Sequence, residues 1–266
     1  MKFKLDKRTI CISVTFLAII LLLLCEIVGL ERFLAPDSDE EIVAAVEMTV
    51  TRALGGAVFI AVLIYLGYKV LNPIKKPFWR GILFSLPAIC VAINNFPIYP
   101  VASGAASITA PPERIALLVA ECLMVAFFEE TCFRGVVFLG FLKKRRGSLK
   151  SRFWAIVLSA AVFGAVHLIN IAMGASPVAV ILQVGYSFLI GAMCSVVLIK
   201  TSNLWLCVLL HAVYNFGGAI IEQCGSGHRW DAFTVTITAI IAVATVAYMV
   251  IAFLKIKESE IARIYE

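Results

Sequence analysis

Long apolar runs separated by short polar breaks fill the chain almost from end to end. Eight candidate spans stand out: 10–30, 53–71, 81–97, 114–142, 153–172, 178–199, 203–222 and 232–254. Most reach or approach the ~20 residues needed to cross ~30 Å of hydrocarbon at ~1.5 Å per residue. The third is the weakest, because Asn94, Asn95, Pro97 and Pro100 crowd its end. No stretch alternates over about 10 residues as a membrane barrel strand does. The pattern predicts an all-α, polytopic membrane bundle of about eight transmembrane helices. It forms one integral membrane domain over 1–266, with N-terminal helices over 1–113. The first span follows MKFKLDKR. Its apolar run is longer than a signal-peptide core and no small-x-small site follows, so a retained helix is expected, not a cleaved leader.

Composition agrees. Hydrophobic residues make up 62% of the chain, against about 45–50% in soluble domains. The net charge of +6 could suggest a nucleic-acid face, but the placement of the charges argues otherwise. With the N-terminus inside and eight spans, Arg32, Arg52, Arg114 and Arg229 fall outside and Arg134 falls within a helix. The other lysines and arginines lie inside. That asymmetry obeys the positive-inside rule, so both termini are expected in the cytoplasm and no nucleic-acid partner is expected. The expected location is the plasma membrane, multi-pass. KKRRGSLKSR at 143–152 is expected to touch anionic lipid headgroups, while APDSDEE at 35–41 reads as a translocated loop. PIYPVASGAASITAPPE at 97–113 reads as an irregular outer connection, GSG at 225–227 as a turn, and KIKESEIARIYE as a short inner amphipathic tail. The eight cysteines contain no CxxC pair and read as packing residues.

Ionisable residues inside an apolar run cost at least ~2.5–3.5 kcal/mol each, so they begin as functional candidates. Those well inside spans are Glu121, Glu129, Glu130, Arg134, His167 and His211. Counting from the inner helix ends at ~1.5 Å per residue puts Glu129, His167, His211 and Asn215 at roughly 20, 21, 12 and 18 Å depth. Three helices thus bring polar groups to comparable depth. Glu130 and Arg134 are i,i+4 and can pair along one face. Glu129 points about 100° away from Glu130. His211 and Asn215 share an i,i+4 relation, as do Phe163 and His167, where the ring can wall the imidazole. A carboxylate with an imidazole can deprotonate water, and a His–Asn pair can donate to an oxyanion. HExxH is absent, so zinc-protease chemistry of that type has no support.

EETCFR at 129–134, FGAVH at 163–167 and HAVYN at 211–215 resemble the EExxxR, FxxxH and HxxxN/D motifs of the CPBP (ABI) intramembrane proteases. That family includes type II CAAX prenyl endopeptidases and bacteriocin-processing or immunity proteins. The resemblance covers a motif-bearing core of about 114–220. It implies that Glu129 and His167 activate the attacking water, that His211 and Asn215 stabilise the oxyanion, and that Glu130 and Arg134 support the site. It also implies a peptide or lipidated protein as substrate and cytoplasmic access to the site. Glu129, His167 and His211 are the possible metal ligands, but a metal-free reaction with no cofactor is favoured. Two other readings compete with the protease. One is a non-catalytic immunity or scaffold protein of the same fold. The other is a proton-relaying transporter, disfavoured because no inverted repeat is visible.

Overall fold

The computed structural model describes residues 39–72, 78–144 and 147–266, with the isolated helical positions Val14, Leu17 and Ile20. The first candidate span and its expected retention therefore lie outside the described residues, as do Arg145 and Arg146 of the basic loop.

Helix α1 (Glu40–Leu66) starts on Asp39, whose Oδ1 accepts from the Glu41 and Ile42 amides. It stops at Gly67, where φ is 74°. The Gly67 amide donates to Ile64 O and the Tyr68 amide to Leu63 O, the paired bonds of a Schellman ending that favours glycine. The helix begins well before residue 53, where its apolar run starts. Arg52, expected in an outer loop, instead sits mid-helix with its guanidinium 5.1 Å from the Phe128 ring centroid. An aromatic face can hold a cation that hydrocarbon would reject.

The third span is two pieces, α2 (Phe78–Phe84) and α3 (Leu86–Asn94). Pro87 has no N–H and its ring crowds the preceding turn, so the break falls at Ser85. Asn94 and Asn95 turn out to be ties between helices. Asn94 Nδ2 donates to Thr238 Oγ1 at 2.9 Å and Asn95 Nδ2 to Tyr214 O at 2.6 Å.

A short helix α4 (Ile98–Ala102) and strand β1 (Ala106–Ile108) follow. Strand β1 pairs antiparallel with β2 (Gly225–Gly227), Ala106 opposite Gly227 and Ile108 opposite Gly225. GSG is thus a strand, not the expected turn. A Cβ on Gly225 would lie 2.3 Å from Ser107 O, so only glycine lets the two backbones meet there.

Helix α5 (Pro112–Glu129) runs without interruption into a π-helical segment, Glu130–Phe138, and then α6 (Leu139–Lys144). Then come α7 (Leu149–Val166), α8 (Ile169–Ala172), α9 (Pro177–Thr201), α10 (Leu204–Cys224), α11 (Ala232–Leu254) and α12 (Glu258–Tyr265). Helix α5 packs between α1 and α10, and α9 packs along α7. Among the described residues, five stretches are long and apolar enough to cross a membrane: Glu40–Leu66, Leu149–Ala172, Pro177–Thr201, Leu204–Cys224 and Ala232–Leu254. The protein is an integral membrane helical bundle. The fourth expected span carries its charges through the π segment, and the third is broken.

The C-terminal tail is the amphipathic helix its pattern suggests, and it folds back onto the bundle. Ile261 and Ile264 are buried. Tyr265 Oη donates to Leu139 O at 2.7 Å, the Lys69 amide to Ile264 O at 2.7 Å, and Lys200 Nζ lies 3.0 Å from Glu260 Oε2. Arg152 pairs with Glu258. The helix ends that bear Lys69, Lys143, Lys200 and Lys255 are gathered by these contacts into one basic end of the bundle.

Candidate active site

The polar residues of EETCFR sit where the helix widens. A π segment hydrogen-bonds i→i+5 and is frequent at functional positions. Here Thr131 Oγ1 bonds back to Phe127 O (2.7 Å) and Phe128 O (3.0 Å), and Ser159 Oγ donates to Phe133 O at 3.2 Å. These bonds hold the altered turn against α7. Gly135 allows α1 to approach closely, since a Cβ there would lie 2.8 Å from Leu63 Cδ1.

Glu130 and Arg134 pair as their spacing predicts, with Arg134 Nη2 2.6 Å from Glu130 Oε1. Both side chains are essentially fully buried, at 0% and 1% exposure, so each charge depends on the other. The Arg134 guanidinium also lies 4.1 Å from the Phe163 ring centroid. Glu130 Oε1 has a second partner, His211 Nδ1, at 2.7 Å. His211 Nε2 faces Glu129 Oε2 at 3.5 Å. One imidazole therefore stands between the two adjacent carboxylates. On an α-helical wheel Glu129 stands about 100° from Glu130. The structure shows that angle to be the span of one imidazole ring, with a nitrogen at either end.

His167 follows the last residue of α7. Its Nδ1 lies 3.0 Å from Phe163 O, and a carbonyl only accepts, so Nδ1 carries the hydrogen. The same logic applies to His211, because its Nδ1 faces a Glu130 carboxylate oxygen that is ion-paired with Arg134 and so accepts. In a neutral His167 ring this leaves Nε2 as the unprotonated nitrogen, while His211 Nε2 is the one turned to Glu129. Phe163 meets both rings edge-on, with centroids 5.2 Å from His167 and 5.9 Å from His211. It walls two imidazoles where its spacing suggested one. Asn215 lies one turn beyond His211 on α10, half-buried. Glu129 keeps 17% of its side chain accessible, so it is the more reachable of the paired carboxylates. His211 joins Glu129 despite a counted depth difference of roughly 8 Å, because that count assumed upright helices and one uniform rise.

The cluster includes two groups that sequence reasoning set aside as packing. Cys194 on α9 and Cys207 on α10 place their sulfurs, with a Glu130 carboxylate oxygen, all within 4.8 Å of one another. Cys207 Sγ donates to Cys194 O at 3.4 Å. Among the described residues this buried trio is the three-ligand group that converges, whereas Glu129, His167 and His211 form no such set. Arg134 shares the Glu130 carboxylate and opposes a cation there, so these residues fit a resident metal poorly. No i,i+3 or i,i+4 signal links two cysteines on different helices, and the sequence could not have flagged them. Glu130 Oε2 and Arg134 Nε, Nη1 and Nη2 are buried without a hydrogen-bond partner among the described residues, the Nη2–Glu130 Oε1 approach being an ion pair that lacks hydrogen-bond geometry. Such atoms cost about 1–3 kcal/mol each unless ordered water reaches them. Glu121 stands apart: it bonds Gln223 beside Arg114, on the β-ribbon side of the bundle. The described cysteines are all free.

Residues 111–217 match the family model described as type II CAAX prenyl endopeptidase Rce1-like. Over this segment the chain is similar to the Rce1-like family. All three motifs lie within the match, and the Rce1-like segment runs from the start of α5 through the π segment to the middle of α10. No curated protein and no solved structure matches the chain.

Proposed function

We propose that this Rce1-like protein is an intramembrane endopeptidase that hydrolyses a peptide bond in a membrane-associated, prenylated CAAX-type substrate. The observation that carries the proposal is His211 held between Glu129 and Glu130, with His167 across the shared Phe163 wall. Glu129 and His167 Nε2 take the proton of the attacking water, and the resulting hydroxide oxygen bonds to the substrate carbonyl carbon. The carbonyl π electrons move onto oxygen. His211 Nε2 and the Asn215 side-chain amide donate to that oxyanion. An imidazolium donates from both nitrogens, and both nitrogens of His211 face carboxylates. Collapse breaks the C–N bond, and the leaving amine takes the proton held at Glu129 or His167. Glu130 and Arg134 fix the His211 ring and do not touch substrate. The basic end faces the cytosol in this reading, by the positive-inside rule, and the substrate enters from that side.

The test is cleavage by the purified chain in lipid nanodiscs, using one peptide in prenylated and unmodified forms, in ¹⁸O water. Expected are cleavage of the prenylated form, one ¹⁸O in the new carboxyl terminus, no covalent adduct, and a rate unchanged by a chelator. No cleavage of either peptide would overturn the hydrolase reading, and a rate restored only by adding metal would overturn its metal-free form.

A further inference from the structure

A cavity of about 710 Å³ opens at the basic end of the bundle. Its rim carries Arg80, Lys200, Lys255 and Arg263 against a single carboxylate, Glu260. Glu260 is already committed to Lys200, which also donates to Lys255 O at 3.0 Å. The cations are therefore in excess around an opening walled by apolar side chains. The walls are formed by α10 and α11, through Leu209, Tyr248 and Ile251. Tyr248 lies seven residues back from Lys255 along α11, so the apolar wall extends about 10 Å below the charged rim. Leu209 and Ile251 are more than half exposed, so this wall opens sideways onto whatever surrounds the bundle.

The cavity is separate from the catalytic cluster. Leu209 and His211 are two residues apart on α10, about 200° around the helix. Leu209 is 56% exposed and His211 5%, so the cavity and the cluster occupy opposite faces.

We infer that this cavity binds one anionic glycerophospholipid, its phosphate among Arg80, Lys255 and Arg263 and its acyl chains along Leu209 and Ile251. The vertical order of the site matches that ligand: positive charge at the headgroup level, hydrocarbon beneath it, and an open flank toward the bilayer. A basic hollow between membrane helices recognises lipid phosphate by the same electrostatics that orient the protein. The volume falls in the usual range for small-ligand sites, about 300–1,000 Å³. A free phosphate would use the rim and leave the walls bare. Because Lys200 and Arg263 also hold α12, through Glu260 and the Lys200 carbonyl, an occupying lipid would brace the C-terminal helix. The inference does not depend on the hydrolase reading.

The experiment uses the full chain in neutral detergent, titrated with phosphatidylglycerol, phosphatidylcholine of the same acyl chains, or inorganic phosphate. It follows the thermal unfolding midpoint and, by native mass spectrometry, the retained lipid. Phosphatidylglycerol is expected to raise the midpoint by at least about 3 °C near saturation and to leave one lipid bound. Phosphatidylcholine and phosphate should do neither. The combined R80Q/K255Q/R263Q variant should lose the difference between the two lipids. The K144Q/K150Q variant, altered on the basic loop outside the cavity, should keep it. Equal responses to both lipids, a full response to phosphate alone, or a difference surviving in the triple variant would each overturn the inference. If the triple variant fails to fold, R80Q and K255Q singly carry the test, since both positions are exposed.

Discussion

The two histidines of the cluster are held in opposite ways. His211 is buried in the middle of a long helix, and side chains from another helix approach both of its ring nitrogens. His167 is half-buried at a helix end, and its ring nitrogen is held by a backbone carbonyl one turn earlier. Fixing the first requires an ion pair, a π segment and a neighbouring helix. Fixing the second requires one local bond. A group that must present a donor in one place gains from the first arrangement, since preorganisation removes the cost of reorienting at the moment of reaction. A base that must reach a water and then return its proton can work from the second. Stability and catalysis should therefore separate between the two regions.

The largest stability effect is expected at Arg134. R134A leaves Glu130 buried without its counter-charge, at a cost of about 3–5 kcal/mol. The thermal unfolding midpoint in detergent should fall sharply, and R134K should restore it only partly, because Lys lacks the planar face that lies on Phe163. H167A should do the reverse. Cleavage of a membrane-borne peptide should fall by about 10²–10⁴-fold with the midpoint unchanged. A matching loss of stability in H167A would erase the contrast. G217A probes α10 at its contact with the loop after α3. The added Cβ would lie 2.6 Å from Phe96 Cδ2, and overpacking of this kind costs about 1–3 kcal/mol. The smallest effect is expected at the basic end. E260Q removes a partly exposed partner of Lys200 and should cost no more than about 1 kcal/mol, shrinking further as salt rises.

How far the sequence reaches can be judged residue by residue. The Glu130–Arg134 pair and the Phe163–His167 contact follow from i,i+4 spacing, which is local and survives any tertiary arrangement. The amphipathic tail was legible for the same reason. The His211 clamp was not, because it depends on which helix packs beside α5 and on a π segment whose sequence carries no turn signal. Arg52 misled a hydropathy window, since a charge counts as polar whether it meets water or the Phe128 ring. Pro97 and Pro100 drew attention away from Pro87, which has apolar neighbours and breaks the third span. The β-ribbon went unseen because strand pairing across more than 100 residues leaves no short-range mark in three-residue strands.

The central claim is that Glu129, the accessible carboxylate of the pair, activates the water, while Glu130 holds the ring that receives the negative charge. The most direct measurement compares wild type with E129Q, in cleavage of one prenylated peptide in nanodiscs and in thermal unfolding of the same preparations. The account predicts at least about a 100-fold loss of cleavage with the unfolding midpoint unchanged. E129Q cleaving within a few-fold of wild type would contradict it.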